Sequence, residues 1–556
     1  MFRSFALRLR FLILIWSAGA VAQSKDALNG MAATGHPLAT DAAIEAMQAG
    51  GTAVDGAIAA ALTLAVVDGH NSGLGGGAFW LIHAPDGSIT AIDGRETAPA
   101  ASTRDMFLRT GRADPELSQT GPLAAAVPGW VAALEDASRS GAKLPVARAY
   151  GRAATLAAEG FVPDAAYESR LHATNADLRR FPATAEAFLS PRDENGRLRQ
   201  PDLATTLRAL AEHGSDWFYR GPFAQLTASW MAENGGRLTA ADFSSYRSVR
   251  RDPLRTQYRG HDIIGFPPPS SGGVHVAQIL NILEIFDLPS FGDRSTDFAH
   301  TVAGAMTLAF ADRAHWLGDP DFAAVPRGLI EKDYAAMLAA KLNPQRAAIV
   351  PGHSRPPDAA GAVFRKHTTH LSVADRHGWW VACTATINTS FGSKVVVPGT
   401  GVVLNNEMDD FSALPGAPNA FGLVGAEANA IAPHKRPLSS MSPTLVLRDG
   451  KPIASLGAAG GPTIITQVAL ALVRTLDFEQ PPAEALAGPR LHHQWRPDSL
   501  RLENAFPRPV REALSARGHS LDLTPSFGAA QMIAQTPDGR FLGAADPRGL
   551  GRARGW

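Results

Sequence analysis

Residues 368–390 read TTHLSVADRHGWWVACTATINTS and contain two strand-like segments joined by a tight turn. Leu371–Ala374 and Trp379–Thr386 are rich in β-branched, aromatic and small apolar side chains, and Arg376-His377-Gly378 lies between them. Apolar segments of this length around a short turn that contains glycine are typical of a β-hairpin. We therefore predict an antiparallel hairpin here.

The same hairpin pattern recurs in three other parts of the chain. It is found at 444–447 with 452–456 around Asp449-Gly450, at 530–534 with 541–544 around Pro537-Asp538-Gly539, and at 78–84 with 89–92 around Pro85–Ser88. Helical patterns cover 38–68 (with Thr40-Asp41 as the expected cap and a break at Gly50-Gly51), most of 110–345, 462–476 and 508–517. The sequence predicts a layered α+β protein with antiparallel sheets, not a parallel βαβ repeat.

Composition and charge restrict the possible partners. The 556 residues include 52 Lys and Arg against 52 Asp and Glu, so the formal net charge is zero, and 45% of residues are hydrophobic. A globular protein with balanced charge has no overall field to steer it onto nucleic acid or anionic lipid. We expect neither as a partner.

The N-terminus predicts export. Three arginines precede the short apolar run 11–16, and Ala20-Val21-Ala22 has the small-x-small pattern of a signal peptidase site. The apolar run is shorter than the ~20 residues that span a bilayer, so we expect a cleaved signal over residues 1–22 and no stable membrane anchor. The single cysteine, Cys383, excludes a disulfide within the chain and is expected to be a buried, inert thiol. A periplasmic or secreted location follows.

Several common catalytic motifs do not fit this sequence. The glycine cluster Gly73–Gly77 follows a helical pattern and precedes a strand, which is the wrong order for a phosphate-binding turn. We interpret it as a place where two backbone segments cross closely. The chain has no Gly-x-Ser-x-Gly nucleophile motif and no histidine or cysteine spacing typical of a metal site.

Small polar residues are concentrated between 368 and 461. The clusters are Thr368-Thr369-His370, Thr386–Ser390, Asn405–Asp410, Ser439–Ser442 and Gly457–Gly461. The last one lies between a strand and a helix, where exposed N–H groups can hold an oxyanion. Taken singly, each cluster is also compatible with ordinary strand ends.

Ordered stretches along nearly the whole mature chain match one known family. They are 36–39 (HPLA), 50–55 (GGTAVD), 72–77 (SGLGGG), 93–99 (DGRETAP), 267–273 (PPPSSGG), 311–313 (ADR), 317–320 (LGDP), 368–370 (TTH), 405–412 (NNEMDDFS) and 435–444 (KRPLSSMSPT). On these residues the sequence resembles the γ-glutamyltranspeptidases, or glutathione hydrolases, of the N-terminal nucleophile hydrolase superfamily.

This resemblance implies a four-layer αββα sandwich that is made as an inactive precursor. The implied cut falls between His367 and Thr368, giving a large subunit over 23–367 and a small catalytic subunit over 368–556, which stay together as one intertwined heterodimer. Cleavage frees the α-amine of Thr368, whose pKa near 8 suits a base that activates the threonine hydroxyl. No metal or organic cofactor is implied.

The resemblance also implies a role for each residue of the pocket. Arg95 would bind the α-carboxylate of a γ-glutamyl group with Ser439 and Ser440, while Asn388, Glu407 and Asp410 would surround its α-ammonium. Gly460 and Gly461 would stabilise the oxyanion, and Thr386 would hydrogen-bond the nucleophile. A segment within 415–439 would form a lid, with Phe421 where many bacterial members have tyrosine. On residue type alone, Arg95 could equally form a buried salt bridge to Glu96 or another neighbour.

The implied reaction transfers the γ-glutamyl group of glutathione and related amides through a threonyl ester. The acceptor is water, an amino acid or a dipeptide. Two alternatives stay open: a cephalosporin-type acylase acting on glutaryl groups, and an exported binding protein that has lost catalysis.

Overall fold

A computed structural model describes residues 26–357 and 370–556. The predicted export signal over 1–22 and the predicted cleavage pair, His367 and Thr368, lie outside these ranges.

Two large antiparallel sheets organise the described chain. The strands are β1 Gly30–Thr34, β2 Gly77–His83, β3 Ile89–Gly94, β4 Leu108–Arg109, β5 Arg112–Ala113, β6 Val249–Arg251, β7 Leu254–Tyr258, β8 His261–Gly265, β9 Leu371–Asp375, β10 Trp380–Thr386, β11 Thr444–Arg448, β12 Lys451–Ala459, β13 Leu491–His492, β14 Leu500–Glu503, β15 Leu521–Thr524, β16 Ala529–Gln535, β17 Phe541–Ala545 and β18 Arg552–Gly555. One sheet has the order β18-β1-β9-β10-β2-β3-β6, and the other has the order β17-β16-β12-β11-β8-β7.

Helices cover the outer faces of both sheets. They are α1 Pro37–Gln48, α2 Ala53–Val67, α3 Pro115–Gln119, α4 Trp130–Gly141, α5 Val146–Glu159, α6 Ala165–Leu178, α7 Pro182–Leu189, α8 Pro201–His213, α9 Ser215–Tyr219, α10 Pro222–Glu233, α11 Ala240–Ser245, α12 Ser271–Leu283, α13 Leu288–Phe291, α14 Thr296–Trp316, α15 Lys332–Ala339, α16 Thr463–Leu476, α17 Pro482–Ala487 and α18 Arg508–Ala516. None of these helices is both long enough and apolar enough to cross a membrane.

The packing gives four layers. Helices α2 and α4 pack on the first sheet, and α12 and α16 pack on the second. Between the sheets lies a core of large apolar side chains that includes Phe79, Leu81, Phe266, Leu445 and Ile533. Each sheet therefore has one face against helices and one face against the other sheet. The predicted αββα sandwich is confirmed.

The hairpins that the sequence predicts are all present, but two details differ. Helix α1 begins at Pro37, and its cap is the His36 side chain, which accepts from the Leu38 N–H; the predicted cap at Thr40 is wrong. Proline is favoured in the first helical turn because it has no N–H to leave unpaired. The strands β6, β7 and β8 within the mostly helical middle region were not predicted.

The glycine cluster before β2 is a close backbone crossing, as predicted. A Cβ at Gly75 would lie 2.1 Å from the Val403 carbonyl oxygen, and one at Gly76 would lie 1.8 Å from the Thr386 carbonyl oxygen. Any larger residue would push these segments apart. The crossing fixes the end of β10, where Thr386 lies.

Buried neutral histidines predict sensitivity to acid. Burial lowers the pKa of His275, His370 and His492 to about 3. In the unfolded chain each of these histidines gains a proton near pH 6.5. The free energy of unfolding therefore has its full value above that pH and falls as the pH drops toward about 3, by about 1.4 kcal/mol per pH unit for each histidine. Urea unfolding at several pH values should show this slope. His275→Gln should reduce it by one histidine's share, and an unchanged slope would contradict the assignment.

Candidate active site

Strand β10 ends at Thr386 in the middle of the first sheet. The Thr386 hydroxyl accepts a hydrogen bond of 2.8 Å from the Asn388 N–H, which turns the chain away from the sheet. Asn388 adopts a left-handed conformation with φ of 76°, which asparagine tolerates better than most residues. Its side-chain amide donates to the Asn406 carbonyl at 3.0 Å. This bond connects the end of β10 to the segment that carries Glu407.

Arg95 is the centre of a buried charged cluster. It follows β3 directly, and its Nη1 lies 2.5 Å from a carboxylate oxygen of Glu407. Its Nη2 donates to Asp410 Oδ2 at 2.6 Å, and its Nε donates to the Pro437 carbonyl at 3.2 Å. Glu96 is farther from the guanidinium, at 3.5 Å. Arg95 therefore forms a buried salt bridge, and its partners are the acids to which the resemblance gives the ammonium of the substrate.

The charges in this cluster are unequal in number. Three carboxyl groups, those of Glu96, Glu407 and Asp410, surround the single guanidinium of Arg95. Burial raises the pKa of Glu407 and Glu96, with Arg95 opposing the shift. Burial alone would lower the pKa of Arg95, but the acids outweigh it and raise that pKa. The anionic group of a zwitterionic ligand could replace the acids on Arg95, and the cationic group of that ligand could then pair with the same acids.

The loop that carries Ser439 and Ser440 is held by the segment before α12. The Ser271 N–H and hydroxyl both donate to the Ser439 carbonyl, at 2.9 and 2.6 Å. The Ser270 hydroxyl donates to the Met441 carbonyl at 2.7 Å. A Cβ at Gly272 would lie 2.2 Å from the same Met441 carbonyl. The sequence SSGG at 270–273 thus allows this close approach, and its hydrogen bonds hold the loop that carries Ser439 and Ser440 in place.

Gly460 and Gly461 form the turn between β12 and α16. Their φ values are 134° and 58°, and the Thr463 hydroxyl donates to the Gly460 carbonyl at 2.8 Å. A Cβ at Gly461 would lie 2.6 Å from Cδ1 of Phe421. Only glycine fits this combination of left-handed backbone and ring contact. The Phe421 ring thus covers the glycine turn.

The predicted lid is attached to the charged cluster. The Asn419 side-chain amide donates to Asp410 Oδ1 at 3.2 Å, and the Ala420 N–H donates to Asp409 Oδ2 at 2.8 Å. On its other side the Phe421 carbonyl accepts from the Gln494 amide at 3.2 Å. Through these contacts, Thr386, Asn388, Glu407, Arg95, Asp410 and Gly461 are parts of one connected site.

Some residues that the sequence analysis did not assign to the site also make hydrogen bonds to it. The Tyr246 hydroxyl and Arg436 Nη1 both donate to the Arg95 carbonyl, at 2.6 and 2.7 Å. Arg313 Nη2 donates to the Ser440 hydroxyl at 3.2 Å. Arg313 and Arg436 lie in stretches that match the family, so the sequence marked them, but it gave no sign of what they contact.

The remaining predictions about this region concern a thiol and metals. Cys383 is buried in β10, and burial raises the pKa of its thiol well above the usual value, as expected for an inert cysteine. Within 26–357 and 370–556, no three histidine, cysteine or acidic side chains are arranged to hold a metal ion.

Two facing antiparallel sheets covered by helices, with small polar residues gathered at the end of a central strand, define an N-terminal nucleophile hydrolase fold. A family model described as Gamma-glutamyltranspeptidase matches residues 39–556. The chain belongs to the γ-glutamyltranspeptidase family.

Individual relatives carry two kinds of name. The glutathione hydrolase proenzyme of Escherichia coli (strain K12) is 42% identical over 530 residues, which cover 94% of this chain and 91% of that protein. The Acylase ACY 1 proenzyme of Pseudomonas sp. (strain V22) is 37% identical over 533 residues, covering 93% and 92%. The crystal structure of a cephalosporin acylase from Bacillus halodurans superposes with a TM-score of 0.86 at 27% identity and covers 99% of both chains. The proteins similar to this chain thus include both glutathione hydrolases and acylases.

Proposed function

We propose that this chain is the precursor of an exported γ-glutamyltransferase and glutathione hydrolase. It cuts itself between His367 and Thr368, and the subunits 23–367 and 368–556 remain associated as a heterodimer. The signal over residues 1–22 directs it to the periplasm or the exterior. The relatives named as proenzymes support the precursor.

In this proposal Thr368 is the nucleophile and its freed α-amine is the base. The described chain supports it as far as residue 370, because β9 begins at Leu371, three positions after Thr368, and pairs with β10, the strand that ends at Thr386. Thr386 would then orient the Thr368 hydroxyl.

The observation that carries the choice of donor is the ion pair of Arg95 with Glu407 and Asp410. A γ-glutamyl group carries a carboxylate and an ammonium on the same α-carbon. The carboxylate takes the place of the acids on Arg95, with Ser439 and Ser440 as further donors. The ammonium is then held by the released acids and by Asn388.

The reaction proceeds in two steps. Thr368 attacks the γ-amide carbonyl, the N–H groups of Gly460 and Gly461 stabilise the oxyanion, and the amine leaves with a proton. When glutathione is the donor, this amine is cysteinylglycine. Water then releases glutamate from the threonyl ester, or an amino acid or dipeptide takes the γ-glutamyl group. An oxyanion donor of this type typically contributes about 2.7–4 kcal/mol to lowering the barrier.

The acylase names among the relatives make a glutaryl acylase the second candidate. A glutaryl group has the carboxylate but no α-ammonium. Such a donor would leave Glu407 and Asp410 without a cation once its carboxylate had taken Arg95, and buried unpaired acids are costly. This argument favours the γ-glutamyl donor. An inactive binding protein is disfavoured because it would have no need for the Gly460-Gly461 pair at the turn between β12 and α16.

The test is release of p-nitroaniline from the γ-glutamyl and the glutaryl anilides by the purified protein. We expect a kcat/KM at least about 100-fold higher for the γ-glutamyl anilide, the scale of a charge-assisted contact with the ammonium. Equal or reversed preference would assign the chain to the acylases. Activity on neither anilide would favour the inactive binding protein.

Asp410→Asn is the matched variant for this test. Asp410 is the most exposed acid of the cluster, with 11% of its side chain accessible, so it is the acid that a ligand reaches first. The substitution keeps the size and removes the charge. We expect the γ-glutamyl rate to fall and the glutaryl rate to be maintained. An equal fall for both donors would contradict the assignment of Asp410 to the ammonium.

A further inference from the structure

A second buried arginine lies behind the serine pair. Arg313 belongs to α14 and is 5% exposed. Its Nε donates to the Ser271 hydroxyl at 2.9 Å, and its Nη2 donates to the Ser440 hydroxyl at 3.2 Å. Across residues 26–357 and 370–556, no carboxylate oxygen lies within 4.0 Å of this guanidinium, the distance that defines the ion pairs of Arg95. Arg313 is thus a cation whose direct partners are hydroxyl groups.

The direction of these hydrogen bonds fixes the role of each serine. A guanidinium can only donate, so both hydroxyl oxygens act as acceptors toward Arg313. The Ser271 proton is already used, because that hydroxyl donates to the Ser439 carbonyl. The Ser440 hydroxyl has no acceptor among the described residues, so its proton is free for a ligand. The contact with Arg313 therefore leaves the Ser440 hydroxyl able to donate to an anionic group.

The charge of Arg313 acts on the same ligand. Among residues 26–357 and 370–556, Arg95 is the only cation in direct contact with Glu96, Glu407 and Asp410. An α-carboxylate that enters this cluster meets repulsion from the acids as well as attraction to Arg95. Burial lowers the pKa of Arg313 to about 10, and Asp410 opposes that shift, so Arg313 is positively charged at neutral pH. A second positive charge behind Ser440 offsets the repulsion.

We propose that Arg313 is the positioning residue that makes this site specific for donors with an α-carboxylate. It orients the Ser440 hydroxyl as a donor and supplies the positive charge that the Arg95 cluster lacks. The proposal rests on the proposed function, since it concerns the γ-glutamyl pocket of the same site.

The test compares three p-nitroanilides that differ in the charged groups of the acyl part. The γ-glutamyl anilide has carboxylate and ammonium, the glutaryl anilide has the carboxylate only, and the 4-aminobutyryl anilide has the ammonium only. For Arg313→Met we expect kcat/KM to fall roughly 10- to 100-fold with the two carboxylate donors, mainly through KM, the effect of losing a charge-assisted hydrogen bond. The 4-aminobutyryl anilide should change less than about threefold. If its turnover is too slow, its inhibition constant replaces kcat/KM.

Two variants separate positioning from folding. Arg474→Met removes another buried arginine, which lies on α16 and donates to the Pro489 carbonyl. This variant should change kcat/KM by the same factor for all three donors. Arg313→Lys keeps the charge but cannot reach both serines with one fork, so its KM for the γ-glutamyl anilide should lie between those of wild type and Arg313→Met. The lysine variant also keeps the test possible if the methionine variant fails to fold.

The double variant Arg313→Met/Ser440→Ala completes the test. If Arg313 acts through Ser440, the double variant should be little worse than Arg313→Met alone. Additive losses, or an equal fall for all three donors in Arg313→Met, would overturn the proposal. The wild-type preference between γ-glutamyl and glutaryl anilides is measured first. A failure of the proposed function appears there, whereas a failure of this inference appears only in the variants.

Discussion

Thr368→Ala is expected to give a single uncut chain that releases no anilide from a γ-glutamyl substrate. The substitution removes the hydroxyl that we propose as the nucleophile both for the self-cleavage and for the transfer. Intact mass measurement and gel electrophoresis of the purified protein, with the anilide assay beside them, check both losses. Without a nucleophile the remaining rate should be at the background of the assay.

Thr368→Ser is the matched variant, because it keeps a hydroxyl at the same position. We expect it to be cut and to retain part of the activity. Two subunits from Thr368→Ala would show that another residue performs the cleavage. An uncut chain with full activity would show that the cut is not needed for transfer.

Arg95→Met has the second largest expected effect. In the part of the chain that the structure describes, it leaves Glu96, Glu407 and Asp410 with no cation in contact, and an uncompensated buried charge of this kind costs about 3–5 kcal/mol of stability. The γ-glutamyl anilide activity should fall by at least about 1000-fold, because the α-carboxylate loses its bidentate partner. Urea unfolding and the anilide assay measure the two effects on the same preparation.

The double variant Arg95→Met/Glu407→Gln separates these two effects. Removing one acid along with the cation should recover much of the lost stability. It should not recover activity, since the carboxylate still has no arginine. Recovery of both would mean that Arg95 only neutralises the acids, as in the simple salt bridge that the sequence left open.

The hairpins could be predicted from sequence because each one depends on local signals. A turn such as Asp449-Gly450 between two apolar segments determines the pairing of β11 with β12 without help from the rest of the chain. The short strand β6 has no such signal. It is three residues long, contains two arginines, and is a strand only because it pairs with β3. Tertiary pairing of this kind overrides local propensity.

The sequence named candidate residues for the site, but it did not give most of their contacts. Arg95 and Glu407 are more than 300 positions apart, and nothing local to either residue indicates that they form an ion pair. The Arg313 side chain shows the same limit, since its role depends on the orientation of a serine 127 positions away. The sequence did anticipate the backbone crossing at Gly76, because adjacent glycines are a signal in themselves, and it left open a salt bridge between Arg95 and its neighbour Glu96.

The strand order of the first sheet has a consequence for how the mature protein can be made. Strand β1 lies between β18 and β9, and β10 lies beside β2, so the parts of the chain before and after the proposed cut alternate within one sheet. After the cut, the two pieces can separate only if these strand pairings break. Once apart, they can reassemble only by finding each other in solution, whereas the uncut chain keeps them linked. Denaturation would turn a folding reaction of one molecule into an encounter of two partly exposed fragments, which favours aggregation. The enzyme would therefore be assembled once in its lifetime, and its durability would depend on slow unfolding and not on an equilibrium that renews it.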